Sequence, residues 1–154
     1  MSRESIFLLL AAVGLMPIAL SYGLSPADSM AMLFDIDASP VNVSHIFRAV
    51  MGLYLALVIF WVFGAFQAPL RLPALWSLTV FMLGLAAGRL LSLLVDGMPH
   101  PLLSIYLLLE LGFGVAGTYL ISNHPAPFCK RTSPEIPNRS ISKDPTEKPL
   151  VLDS

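Results

Sequence analysis

Two apolar runs joined by a tight turn constrain the fold more than any other part of the sequence. Residues 84–110 read GLAAGRLLSLLVDGMPHPLLSIYLLLE, and the turn falls at Asp96 and Gly97, followed by Pro99 and Pro101. Glycine accepts the left-handed conformation that ends a helix, and proline suits the first helical turn. The pattern predicts two antiparallel helices with a short connection.

Each run contains one charged residue inside the apolar stretch, Arg89 before the turn and Glu110 after it. At a rise of 1.5 Å per residue, both lie roughly 10 to 18 Å from the turn, inside a hydrocarbon core about 30 Å thick. A lone charge at such depth costs about 2.5–3.5 kcal/mol. We therefore expect these two side chains to face each other or a polar cavity.

The composition is that of a membrane protein. Of the 154 residues, 56% are hydrophobic and 12% are charged, and the mean hydropathy is +0.76, which is too apolar for a soluble domain of this length. Lys and Arg number 9 against 10 Asp and Glu, without a basic stripe, so nucleic-acid binding has no support. The single cysteine, Cys129, excludes an internal disulfide and a cysteine-based zinc site.

We predict an all-α polytopic membrane protein, an antiparallel bundle of four transmembrane helices within residues 1–122. The predicted helices span residues 6–24, 46–66, 74–95 and 102–122. Residues 123–154 are rich in Pro, Ser, Thr, Lys and Glu, which predicts a disordered cytoplasmic tail. The first apolar run has an alternative interpretation as a cleaved signal peptide, which would leave three spans.

The connections carry their own helix signals. Ser25, Pro26 and Asp28 resemble a helix start, and predict a short interfacial helix that includes Phe34. Asn42 or Ser44 is expected to cap the second membrane helix, although Asn42-Val43-Ser44 also matches a glycosylation sequon. The prolines of segment 67–73 are expected to delimit the two adjoining helix ends.

The distribution of basic residues predicts the orientation. Seven of the 9 Lys and Arg fall on one side of the predicted spans: Arg3, Arg71, Lys130, Arg131, Arg139, Lys143 and Lys148. By the positive-inside rule, both termini are cytoplasmic, and we expect a multi-pass protein of the bacterial inner membrane. Lys130 and Arg131 lie close enough to the last helix to contact anionic lipid.

Helical spacing groups further polar residues with the charged pair. Ser92 and Asp96 share a face with Arg89, and Tyr106 shares one with Glu110. Arg48 enters the membrane from the outer side. The candidate cluster, ligand-binding or structural, is therefore Arg48, Arg89, Ser92, Asp96 and Glu110.

Three interpretations of this cluster stay open. The pair of Arg89 and Glu110 fixes the packing of two helices and does nothing else. Alternatively, because Arg48 and Arg89 outnumber one glutamate, an anionic lipid head group or a small acid completes the site. In the third interpretation Asp96 neutralises one arginine and no ligand is needed.

Other sequence features predict helix packing and give no support for a metal site. The small residues Gly84, Gly88, Gly112, Gly114 and Gly117 are expected to mark tight helix packing inside the bundle. Two acids of the long loop and two histidines, Asp35, Asp37, His45 and His100, lack metal-ligand spacing on one helix. No catalytic residue, metal or cofactor is predicted.

The hairpin residues GLAAGRLLSLLVDGMPHPLLSIYLLLEL, together with FRAVMGLYLAL at residues 47–57, resemble the bacterial family catalogued as domain of unknown function 4345. The resemblance covers roughly residues 6–122. It implies a small four-helix membrane protein in which these positions matter together, and it implies no activity.

Three functions compete at this stage, and an enzyme has no residues that suggest a mechanism. The first is a binding module with an outward-opening polar site. The second is an accessory subunit that packs against a partner membrane protein or another copy of itself. The third is a minimal proton-coupled transporter or exporter that uses Glu110.

Overall fold

A computed structural model describes residues 1–123. In that range the chain is all-α, and four of its five helices are long and apolar enough to cross a membrane. The helices are α1 (Arg3–Gly23), α2 (Pro26–Phe34), α3 (Val41–Phe66), α4 (Ala68–Val95) and α5 (Pro101–Ser122). The predicted four-helix membrane fold is confirmed. The predictions for the tail, Cys129 and Lys130-Arg131 concern residues outside the described range, apart from Asn123.

A side-chain cap starts α1, whereas α2 follows Ser25 without a side-chain cap. The Ser2 Oγ accepts a hydrogen bond from the Ser5 amide at 3.2 Å and so caps α1. The Ser25 hydroxyl donates to Asp28 Oδ2 at 2.5 Å where α2 begins with Pro26 in its first turn. The predicted short helix between the first two membrane helices is therefore present.

The loop after α2 reverses the chain. Asp35 ends α2 in the left-handed conformation with φ of 56°, which Asp tolerates better than most residues. Asp37 Oδ1 accepts hydrogen bonds from the Ser39 hydroxyl at 2.6 Å and the Ser39 amide at 3.0 Å. The hydroxyl bond, followed by the amide bond, lowers the pKa of the Asp37 carboxyl. These bonds tighten the approach to α3.

The second membrane helix starts earlier than predicted. α3 begins at Val41, with Pro40 as its N-cap residue and no side-chain cap. Ser44 lies inside the helix, and its hydroxyl donates back to the Ala38 carbonyl at 2.7 Å. The prediction that Asn42 or Ser44 caps this helix is therefore wrong. Proline sets the extended backbone at position 40, so a polar cap is not needed to start the helix.

The third membrane helix also starts earlier, at Ala68. Pro69 lies in the first turn of α4, where the missing amide has no partner to lose. Pro73 lies inside α4, contrary to the expectation that it would delimit the helix. α1 likewise continues through Pro17. Prolines are tolerated inside membrane helices because neighbouring groups can satisfy the freed carbonyls.

The four long helices alternate in direction. Tyr22 near the end of α1 contacts Phe47 of α3, with ring centroids 5.9 Å apart, while Leu8 near the start of α1 lies beside Gly64 at the other end of α3. α3 then packs on α4, and α4 on α5, whereas the seam between α1 and α5 is loosely packed. The largest side chains that are fully buried include Trp61, Leu8, Leu75 and Leu78.

The glycines divide into two groups that the sequence did not separate. Gly114 and Gly117 of α5 are buried, and a Cβ at either would collide with a side chain of α4, Leu83 or Thr79 respectively. Gly84, Gly88 and Gly112 are exposed, with open space where a Cβ would lie. The expectation of tight packing inside the bundle is therefore right for two of the five and wrong for the other three.

Candidate functional site

An ion pair between α4 and α5 forms the centre of the candidate site. Arg89 Nε donates to Glu110 Oε1 at 2.8 Å and to Oε2 at 3.0 Å. Arg89 lies about 9 Å from the end of α4 at 1.5 Å per residue, and Glu110 lies near the middle of α5. The tight turn between the helices brings the two residues to the same level, as the sequence predicted.

The pair is largely removed from solvent by the protein. The side chain of Glu110 is 8% exposed and that of Arg89 is 23% exposed. The guanidinium also lies over the Tyr106 ring, with Cζ 5.7 Å from the ring centroid, a cation–π contact. Arg89 is therefore held by the carboxylate and by an aromatic ring, and Glu110 is held by the guanidinium.

Three tyrosines that lie outside the predicted cluster surround the pair. Tyr22 of α1 lies next to the guanidinium of Arg89. Its ring centroid is 5.9 Å from that of Tyr54 on α3. Only Tyr106 could have been associated with the pair from the sequence, because it precedes Glu110 by one helical turn. The other two come from helices distant in the sequence, so spacing could not reveal them.

A cavity of about 90 Å³ lies between the four long helices and ends on this cluster. Its lining is mostly apolar, and includes Ala11 and Leu15 of α1 and Met82 of α4. Its polar lining comes from Tyr22, Tyr54, Arg89, Tyr106 and Glu110. A polar end on an apolar cavity is the arrangement expected for an amphiphilic ligand.

A second cavity, of about 70 Å³, lies on the other side of Arg89. It includes Ser92 of α4 and Ser104 of α5, close to the turn between the helices. Arg89 lines both cavities. The interior cavity and the smaller pocket near the turn thus share this residue.

Comparison with protein families decides what the chain is. A family described as a domain of unknown function, DUF4345, matches residues 4–121. The chain belongs to the DUF4345 family. The matched region takes in all five helices of this DUF4345 protein except the first residue of α1 and the last residue of α5, and with them the whole candidate site. No curated protein and no solved structure matches the chain.

Within this DUF4345 domain, four of the five residues of the predicted cluster form two pairs. Arg89 and Glu110 form the buried pair. Ser92 donates a hydrogen bond to Asp96 Oδ2 at 2.6 Å, and both residues are exposed at the end of α4. Asp96 therefore pairs with Ser92 and does not neutralise an arginine of the described residues 1–123.

Arg48 does not join the site. It is exposed on α3 and lines neither cavity. The expectation that two arginines converge on one glutamate is wrong in this DUF4345 protein. Depth along a helix can be counted from the sequence, but the face that a residue occupies cannot be read where all faces are apolar.

The histidines of the domain have local roles. His100 precedes α5, and its Nδ1 accepts from the Leu102 amide at 3.4 Å. His45 is exposed in the first turns of α3. Within residues 1–123, no group of three or more His, Cys, Asp or Glu is placed to hold a metal ion.

Proposed function

We propose that this DUF4345 protein is a membrane-embedded binding protein, whose ligand places an oxygen-bearing head group against Arg89. The observation that carries the proposal is an apolar cavity that ends on the guanidinium of Arg89. Glu110 accepts hydrogen bonds from only one nitrogen of that guanidinium, Nε. Such a site combines an apolar wall with a small number of placed polar groups, as ligand sites do.

The hydrogen bonding of Arg89 supports a role beyond packing. A guanidinium and a carboxylate frequently pair through two nitrogens in a fork, which gives a strong and specific geometry. Here one nitrogen, Nε, serves both oxygens of Glu110. The terminal nitrogens then remain for the Tyr22 hydroxyl and for a ligand. Glu110 positions the arginine, and Tyr22 adds a hydroxyl at the same end of the cavity.

We place the protein in the bacterial inner membrane, multi-pass, with both termini cytoplasmic and α1 retained. Arg3 and Arg71 support this orientation, together with the basic residues that follow the last helix. The packing of α1 supports its retention, because Leu8 and Ala19 are fully buried in the bundle. In this orientation the candidate site lies in the outer half of the membrane.

Native mass spectrometry of protein released from mild detergent tests the proposed function. We expect the wild type to carry a discrete lipid-phase adduct. The double variant Arg89→Gln with Glu110→Gln keeps the site neutral, so it is expected to fold and to lose the adduct. Arg48→Gln is the matched control, since it removes an arginine outside the cavity and is expected to keep the adduct.

Two results would overturn the proposal. One is a wild-type protein without any adduct, even after reconstitution with a total bacterial lipid extract. The other is an adduct of the same mass and occupancy in the double variant. A defined partner protein or a dimer in the spectrum, without an adduct, would favour the accessory-subunit interpretation.

The transporter alternative also stays a prediction with its own test. It requires Glu110 to release and bind a proton during transport. Both oxygens of Glu110 accept from Arg89 in this structure, so the exchange would have to break that pair. Proton-coupled flux in proteoliposomes that is lost in Glu110→Gln would support the transporter, and absence of flux in the wild type would exclude it.

A further inference from the structure

The interior cavity reaches the surface of the bundle at the seam between α1 and α5. Gly14 of α1 and Leu109 of α5 both line the cavity and are both exposed, Leu109 to 51%. A Cβ added at Gly14 would find no atom within 4 Å. The seam is also the loosely packed one of the bundle. The cavity is therefore open sideways, toward lipid.

Aromatic rings pack across both ends of the cavity. At one end Phe7 of α1 meets Phe113 of α5, with centroids 5.4 Å apart. At the other end Phe34 of α2 packs edge-on against Tyr22 at 6.3 Å and Tyr106 at 6.5 Å. Since these rings cover both ends of the interior cavity, the seam is the side on which that cavity opens toward lipid.

The charge of the cavity selects the kind of head group. Arg89 and Glu110 neutralise each other, and Arg48 lies outside the cavity. An anion would therefore add an uncompensated charge at membrane depth, which is costly. A neutral head with a carbonyl or hydroxyl oxygen can still accept hydrogen bonds from the terminal nitrogens of Arg89.

The volume of the cavity limits the size of that head group. At about 90 Å³ the cavity is smaller than the cavity of roughly 150 Å³ that holds benzene in an engineered protein. The cavity can thus hold a head of a few heavy atoms, but not a hydrocarbon chain. The chain must leave through the seam and lie in the bilayer.

We propose that the site binds a neutral amphiphile with a small head group, which enters from the bilayer between α1 and α5 with its head oxygen on Arg89. The proposal rests on the proposed function and narrows its ligand class. The ligand predicted from the sequence, an anionic head group or small acid, depended on Arg48 joining the site, and it becomes the competing outcome of the test.

Equilibrium binding of two probes with the same chain separates these outcomes. Radiolabelled oleamide and oleate differ in charge but share the chain and the carbonyl position. We expect wild-type protein in nanodiscs to bind oleate at least about tenfold more weakly than oleamide at alkaline pH, where the acid is ionised. Oleate binding that equals or exceeds oleamide binding would overturn the neutral-ligand assignment.

Two glycine variants test the route. Gly14→Phe fills the open seam, and we expect it to weaken oleamide binding by about tenfold or more. Gly112→Phe is the matched control, because Gly112 is also exposed with open space but lies outside the cavity lining. We expect it to bind like the wild type. Thermal unfolding of both variants confirms that they are folded.

The outcomes distinguish the inference from the proposed function. Unchanged oleamide binding in Gly14→Phe would overturn access through the seam. If the native mass spectrum shows an anionic ligand, the proposed binding function is supported and the assignment of a neutral ligand is wrong. If neither probe binds and the wild type carries no adduct, the proposed function itself fails.

Discussion

The helices α3, α4 and α5 pack closely at one end of the bundle and leave a cavity at the other. In the packed half, defined by Trp61, Gly64, Ala74 and Leu78, helices touch closely, and Trp61, Ala74 and Leu78 are fully buried. In the cavity half, around Arg89 and Glu110, the same helices leave space and hold a charged pair. Lipid gives helices no hydrophobic reason to associate, so close packing has to hold them. The packed half fixes the helix positions that keep the cavity half open.

Trp61→Ala should give the largest effect, because it removes the anchor of the packed half. The indole is fully buried, its Nε1 donates to the Ser77 hydroxyl at 3.0 Å, and its ring contacts Phe81 at 5.8 Å. Truncating a buried Trp costs about 3–5 kcal/mol. Thermal unfolding in detergent measures the loss.

The second tryptophan gives the matched control for that experiment. Trp76 lies on α4 and is 53% exposed, so it is not part of the buried contacts of the packed half. We expect Trp76→Ala to change the unfolding temperature much less than Trp61→Ala. Equal losses from both variants would contradict the division into a packed half and a cavity half.

Breaking the charged pair should give the next largest effect. Arg89→Gln or Glu110→Gln alone leaves one uncompensated charge at depth, which costs about 2.5–3.5 kcal/mol. The double variant removes both charges, so we expect it to regain most of that stability. A double-mutant cycle by chemical unfolding measures the coupling. If the two single losses simply add in the double variant, the pair contributes no coupling and the cavity half is not organised around it.

The sequence could predict the pair but not the faces of the helices. Arg89 and Glu110 could be placed at one level because a tight turn fixes where counting starts. Arg48 and Gly84 were assigned to the interior wrongly for one physical reason. The surface that meets lipid is as apolar as the interior, so the pattern that marks the buried face of a soluble helix is weak here.

The predicted starts of α3 and α4 were wrong for a different reason. Asn42 and Ser44 were chosen as caps because a side-chain oxygen can accept a hydrogen bond from the first amides of a helix. The chain instead begins α3 after Pro40 and begins α4 with Pro69 in the first turn. The tyrosine cluster depends on contacts between helices far apart in the sequence. A single sequence contains no spacing rule for such contacts.

Gly64→Ala should give an intermediate effect and sharpen the comparison at atomic scale. A Cβ at Gly64 would collide with the Cβ of Ala74, which has no flexible end to move. Overpacking of this kind costs about 1–3 kcal/mol. Gly84→Ala on the exposed face of α4 is the control, because open space surrounds it. We expect the control to be as stable as the wild type in thermal unfolding, and a loss equal to that of Gly64→Ala would mean that Gly84 faces a contact outside the described fold.

Arg48→Gln should give the smallest effect, although it removes the same charge as Arg89→Gln. Arg48 is exposed on α3 near the N-terminal end of the helix, where a long side chain can reach the head-group region. Surface substitutions of this type usually change stability by less than about 0.5 kcal/mol. Chemical unfolding and oleamide binding, measured side by side on Arg48→Gln and Arg89→Gln, give the comparison. A loss of binding in Arg48→Gln would show that this arginine moves into the site when a ligand is present, and the cavity would then carry the excess positive charge that favours an anion.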